Sequence, residues 1–222
     1  RRHTRYGTVT GVQTCALPIS FNSAGKISPR CGRAWAKVLA SVPFSRLVIK
    51  GQGLSDRGTR DTALRALVRH GIEPARVDLR GLCPSYSEHL AMHNQIDVML
   101  DPFPYNGVTT TCEALWMGVP VITLAGRTHA SRMGASILGA LGQPEWIADD
   151  EPAYVALAAR LAAMPTLALG LTKRLINAAA TNTFEQQLAA EGELQTICGR
   201  STDHTEGVTA FREKRKPAFT GQ

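Results

Sequence analysis

The stretch DVMLDPFPYNGVTTTCEALWMGVPVITL, Asp97–Leu124, decides the fold. DVMLD is a short apolar run that ends in an acid, and it reads as a buried strand. PFPYNG is a turn-rich loop. VTTTCEALWMG reads as a helix that opens on hydroxyls and stops at Gly118. VPVITL is a second buried strand. Two apolar strands on either side of a helix make a parallel strand–helix–strand unit. A loop that leaves a strand and opens a helix is suited to an anion, because backbone N–H groups and the positive end of the helix dipole point there. Gly107, Thr109, Thr110 and Thr111 stand at that junction, and the anion expected there is a nucleotide diphosphate.

The rest of the chain repeats the alternation. SFNSAGKIS is expected to be a short strand and a polar loop. Pro29 sits near a helix start, with Trp35, Val38 and Leu39 inward to about Val42. SRLVIK is a buried strand. An amphipathic helix is expected from about Asp61 to His70, with Leu64, Leu67 and Val68 inward and Gly71 as its stop. VDLRG is the next strand, and Ser87 is a candidate cap for the short helix SEHLAMHNQ. After the central unit come the helix in AGRTHASRMGASILGALG, a brief extended piece at Glu145–Ala148, and helices from Glu151 to about Thr196. Strands alternating with helices predict an α/β fold with a doubly wound, parallel, Rossmann-like sheet. Ligands of such sheets bind beyond the C-terminal strand ends, where Asp101 and its loop lie.

The two ends read differently. Residues 1–19 show no useful periodicity, and VTGVQTCALPI (9–19) resembles a translated sequencing adapter, so this segment is expected to be a non-native leader and the chain a fragment. Residues 20–200 form the expected nucleotide-binding domain with its C-terminal helices. Residues 201–222 are polar and basic and are expected to be disordered or foreign.

Composition narrows the function classes. At 222 residues, 44% apolar and 19% charged, the chain has the make-up of an ordinary globular protein with a sizeable core. No apolar run approaches the ~20 residues of a membrane helix, so no membrane partner is expected. The net charge of +7 is partly terminal, with Arg1, Arg2 and Arg5 near the start. What remains suits a phosphate-bearing ligand and lacks the dense patch and reading module of a nucleic-acid binder. Five widely spaced cysteines without a CxxC fit neither a disulfide framework nor a zinc site, and a reducing, cytoplasmic setting is the expectation. GxGxxG, GxxxxGK[ST] and GxSxG are all absent, which counts against dehydrogenase, P-loop and α/β-hydrolase chemistry.

Several residues carry chemistry in this pattern. Lys26 follows a strand in a polar loop, as a phosphate contact or as a solvated lysine. Thr109, Thr110 and Thr111 face a phosphate or cap their own helix. Glu113 shares a helix face with Thr109 and Thr110, and its carboxylate can accept both hydroxyls of a ribose or simply favour the helix start. His89 lies in a short helix after a strand. Asp101 ends a strand before Pro102, and His129 and Arg132 open the helix after the next strand; each is a weaker candidate, for an anion contact or for a local turn or cap.

The block DPFPYNGVTTTCEALWMGVPVITLAGRTHASRMGASIL resembles the C-terminal catalytic half of the O-linked N-acetylglucosamine transferases and the related SPINDLY proteins, glycosyltransferase family 41. SFNSAGKISP, WAKVLASVPFSRLVIKG and GIEPARVDLRG match in the same order, and the likeness runs from roughly Ser20 to Ala180. It implies the C-terminal Rossmann-like half of a GT-B glycosyltransferase. It also implies inverting transfer of a sugar from a nucleotide donor to Ser/Thr hydroxyls of proteins, without a required metal or other cofactor. Full-length relatives carry tetratricopeptide repeats, so the acceptor protein is expected to meet an N-terminal half that this chain lacks.

By motif position, the resemblance makes Lys26 the catalytic lysine on the donor diphosphate and places His89 near the nucleotide base. Thr109 and Thr110 fall on the diphosphate-binding helix start, and Glu113 on the acid that holds the ribose. Val108 stands where animal-type enzymes have histidine and SPINDLY-type proteins threonine. Glu113 follows the SPINDLY pattern where animal-type enzymes have aspartate. The donor is expected to be UDP-N-acetylglucosamine, with GDP-fucose as the alternative; a non-catalytic nucleotide-sugar-binding module is the other reading.

Overall fold

A computed structural model describes residues 18–20, 24–43 and 45–220. Its six strands form one parallel sheet in the order β3-β2-β1-β4-β5-β6. The strands are β1 (Pro18–Ser20), β2 (Leu47–Lys50), β3 (Val77–Arg80), β4 (Val98–Leu100), β5 (Val121–Leu124) and β6 (Ile147–Ala148). Helices α1 (Pro29–Ser41), α2 (Arg57–Val68), α3 (Tyr86–Ala91), α4 (Thr109–Trp116), α5 (Met133–Ala140) and α6 (Glu151–Ala162) alternate with them. The chain winds outward from β1 through β2 to β3, then crosses back to lay β4 on the other side of β1. The connections after β1 and β4 therefore leave in opposite directions and open a crevice at the C-terminal strand ends.

Strand alternation gives the sheet two covered faces. Leu47, Ile49, Val98, Leu100, Ile122 and Leu124 join one cluster with Trp35, Val38 and Leu39 of α1 and Tyr154 and Ala158 of α6. Val48, Met99 and Val121, which alternate with them along the strands, join the other with Ala114 of α4 and Val119. The indole Nε1–H of Trp35 donates to the Tyr154 hydroxyl at 3.1 Å, which donates to the Asp101 carbonyl at 3.1 Å. This buried relay ties α1 and α6 to the end of β4.

The structure corrects several expectations. β1 starts at Pro18, two residues inside the expected leader, with Ile19 in register with Val48 and Met99; pairing on both sides places it there, and no periodicity marks so short a strand. The remainder of the leader, residues 1–17, lies outside the described residues. Ser85 caps α3 in place of Ser87, accepting from the Glu88 N–H at 3.2 Å. Val68 is exposed and only Leu67 of α2 is buried. The tail, expected to be disordered or foreign, holds a helix, α9 (Thr202–Glu213), which follows α7 (Thr166–Ala179) and α8 (Phe184–Gly199). Ser201 caps α9, accepting from the His204 N–H at 3.0 Å. Asp203, buried, accepts from the Thr220 N–H at 2.6 Å, and Arg215 pairs with Glu206 at 2.6 Å. Among the described residues no single helix is long and apolar enough to cross a membrane.

Candidate functional site

The crevice between the ends of β1 and β4 is built by two loops. After β1 the chain makes a short 3-10 turn, Ala24–Lys26, before α1. Ser28 caps α1 by accepting from the Cys31 N–H at 3.1 Å, and its hydroxyl donates to the Phe103 carbonyl at 2.8 Å. The first loop is thereby fastened to the second. Lys26 Nζ donates to the Asn106 carbonyl at 3.1 Å and lies 4.5 Å from the centre of the Tyr105 ring. Burial lowers the Lys26 pKa, and the nearby charge of Asp101 acts in the opposite direction.

Asp101 is fully buried and turned into the framework of the loop. Its carboxylate accepts from the Gly107 N–H at 2.7 Å and from the Thr123 hydroxyl at 2.7 Å. Burial pushes its pKa up to about 7 against these hydrogen bonds. Thr111 is also buried, and its hydroxyl donates to the Gly107 carbonyl at 3.2 Å. Asn106 completes the framework, donating from Nδ2 to the Pro102 carbonyl at 3.0 Å. These three side chains shape the loop from inside.

Thr109 opens α4 and is exposed, and Thr110 follows half-buried. Val108 occupies the N-cap and makes no side-chain cap hydrogen bond. The first-turn N–H groups of a helix have no partner within the helix. The positive end of α4 thus stands beside the loop that Lys26 touches, and both favour an anion.

One turn along α4, Glu113 faces a cavity of about 530 Å³. The cavity is lined by Lys50 and Gly51 at the end of β2, by Tyr86 and His89 of α3, and by Glu113. His89 Nε2 lies 2.9 Å from one Glu113 oxygen, and the Tyr86 hydroxyl donates to the other at 3.0 Å. Lys50 Nζ contacts the second ring nitrogen of His89. The Glu113 hydrogen bond raises the Tyr86 pKa. The structure therefore brings His89 and Glu113 together, although they are 24 residues apart in sequence.

Sequence reasoning did not single out Lys50 or Tyr86. Lys50 carried a usable signal: a lysine closing a buried strand stands at the ligand-binding end of the sheet. Tyr86 carried none, because its link to Glu113 spans 27 residues. His129 and Arg132 lie on the loop after β5, both exposed. Arg132 donates to the Gly126 carbonyl at 3.2 Å, and this loop reaches the site through its backbone, with the Ala130 carbonyl accepting from the Asn106 N–H at 2.9 Å.

The model of glycosyl transferase family 41 matches residues 11–188. The chain is 44% identical over 144 residues to a protein of Oryza sativa subsp. japonica that bears the name "Probable UDP-N-acetylglucosamine--peptide N-acetylglucosaminyltransferase SPINDLY", covering 65% of this chain and 16% of that one. Among solved structures it resembles a lysine-to-methionine mutant of the Thermobaculum terrenum O-GlcNAc transferase, with a TM-score of 0.67 and 32% identity over 84% of this chain and 36% of the other. The chain thus spans less than a fifth of the rice relative. A likeness of another kind joins it to the 1,2-epoxyphenylacetyl-CoA isomerase of Escherichia coli (strain K12), 41% identical over 128 residues, 52% of this chain and 47% of that one.

Proposed function

Since the chain belongs to glycosyltransferase family 41, we propose that it is the donor-binding half of a protein O-glycosyltransferase that uses a nucleotide-diphosphate sugar. The observation that carries this reading is Lys26 Nζ, 3.1 Å from the Asn106 carbonyl at the mouth of α4. In the proposed reaction a Ser/Thr hydroxyl attacks the anomeric carbon, giving up its proton to a general base assigned to the other half of the enzyme, as the bond from that carbon to the diphosphate oxygen breaks. Negative charge gathers on the leaving diphosphate. Lys26 and the N-terminus of α4 stabilise that charge, which makes Lys26 the catalytic residue. Thr109 and Thr110 add hydroxyls to the phosphates, Glu113 accepts from the ribose hydroxyls, and His89 stands on the base side of the same cavity.

The donor proposed is UDP-N-acetylglucosamine, a reading supported by the name of the rice relative. GDP-fucose is the alternative. The acceptor groove is assigned to a half of the enzyme outside this chain, in keeping with the 36% of the solved transferase that the chain covers; the 222-residue chain alone is expected to bind donor without transferring sugar. Residues 201–222 are read as foreign to the family, because the family match ends at residue 188.

Calorimetric titration with UDP and with GDP tests the donor reading. Saturable binding of one of them, weakened at least tenfold in Lys26→Ala, is the expected result. Binding of neither, or equal binding by Lys26→Ala, overturns it.

A further inference from the structure

The carboxylate of Glu113 lines the cavity but is nearly covered by its own chain. The side chain is only 12% exposed. Two residues of α3 cover it, each on a different oxygen: His89 Nε2 at 2.9 Å and the Tyr86 hydroxyl at 3.0 Å. They are held very differently. The His89 side chain is 16% exposed, and its ring packs edge-on against that of the buried His93, with centres 5.3 Å apart. Tyr86 is 64% exposed and is the first residue of α3, directly after residues 82–85, which belong to neither helix nor strand. Its phenol can turn into water at little cost in packing, and the covered imidazole cannot. A tyrosine hydroxyl donates to a carboxylate the same O–H bond that a sugar hydroxyl would donate.

We infer that Tyr86 is an internal competitor at Glu113: its hydroxyl takes the carboxylate oxygen that a ligand hydroxyl would take, and gives it up when that hydroxyl arrives. This rests on the donor reading for the ligand and on the Tyr86–Glu113 contact for the competition. Binding at Glu113 is then an exchange of one O–H···carboxylate bond for another. The ligand gains less from such an exchange than it would from a carboxylate with that oxygen open. Tyr86 thus sets the affinity of the site through Glu113, as a positioning residue. It does so at the side of the cavity opposite in role to Lys26, where affinity comes from charge.

Calorimetry with UDP and GDP on the intact chain reads the competition. The nucleotide that binds is expected to bind Tyr86→Phe about fivefold more tightly than the wild type, the worth of one exchanged hydrogen bond. In a Glu113→Ala background the same substitution is expected to change nothing, because no carboxylate is left to compete for. Tyrosine labelled with ¹³C at Cζ gives a second reading, with the Tyr86 resonance assigned by its loss in Tyr86→Phe. On saturation with nucleotide this resonance is expected to move towards its position in nucleotide-free Glu113→Ala, where the phenol lacks this acceptor. Equal or weaker binding by Tyr86→Phe, the same gain in the Glu113→Ala background, or a Tyr86 resonance that stays in place on saturation overturns the inference and leaves the donor reading standing. Binding of neither nucleotide by wild type or Tyr86→Phe overturns the donor reading, and the competition falls with it.

Discussion

Lys26 and Asn106 lie 80 residues apart in sequence and meet at 3.1 Å, lysine ammonium to backbone carbonyl. The contact holds the ammonium at the mouth of α4 before any ligand arrives. Lys26→Ala is expected to weaken nucleotide-diphosphate binding at least tenfold, which is about 1.4 kcal/mol. Its melting temperature should change little, since a single half-exposed hydrogen bond contributes only about 1 kcal/mol. Calorimetry and thermal melting on the same samples separate the two effects.

Glu113 should discriminate ribose from deoxyribose. With a carboxylate facing the cavity, UDP is expected to bind more tightly than 2′-deoxy-UDP, and Glu113→Ala should bring the two close to equal. A difference that survives in Glu113→Ala would place the ribose elsewhere.

Two buried groups set opposing pH dependences. Burial pushes the Asp101 carboxyl up to about 7. A raised acid stabilises the fold in its protonated form, so this contribution is full below about pH 4 and lost as pH rises through 7. Burial draws His93 down to about 4. A lowered imidazole stabilises the fold in its neutral form, so that contribution is full above about pH 6.5 and lost as pH falls through 4. The wild type should therefore show a nearly flat urea midpoint between these limits. Asp101→Asn should become more stable as pH rises, and His93→Gln less. Variants that both parallel the wild type would show that neither group titrates as described.

Gly134 opens α5 against the Asp101 framework. A methyl group there would stand 2.5 Å from Asp101 Oδ2 and would also meet Thr123 Oγ1. Both are held by buried hydrogen bonds and have little room to yield. Gly134→Ala is expected to cost about 1–3 kcal/mol of stability and to loosen nucleotide binding, measured by denaturant titration and calorimetry.

The C-terminal helices should be separable from donor binding. Lys173 of α7 donates to the His93 carbonyl at 3.2 Å, which ties that helix to the sheet domain. α8 packs on α7, and α9 packs on α8 and on the end of the chain. A chain shortened to end after Asn182 is expected to retain nucleotide affinity within about twofold, a change of roughly 0.4 kcal/mol. Loss of binding would make α8 and α9 part of the site's support.

The sheet was legible because LVIK, DVML and VITL are apolar runs bounded by turn residues, and because the helices between them carry inward residues at helical spacing. The position of the candidate residues was legible for the same reason: once strand ends are known, Lys26, the Thr109–Thr110 pair and Glu113 fall beside them. α9 was not legible, because Ser201, the Arg215–Glu206 pair and the Thr220–Asp203 contact hold a polar helix that shows little apolar periodicity. The inward turn of Asp101 and Thr111 was equally hidden, since a strand-end acid and a helix-start threonine look the same whether they face a ligand or their own loop.

Val108 at the start of α4 supplies no capping oxygen. A serine or threonine at such a position is worth about 1 kcal/mol to a helix. The free protein forgoes that stabilisation, and a phosphate oxygen arriving at the same N–H groups would provide it. In the proposed donor complex, occupancy and folding are thereby linked at one residue. A Val108→Ser protein would be more heat-resistant when empty and would show a smaller melting shift with nucleotide, so selection for robustness at this position works against responsiveness to the donor.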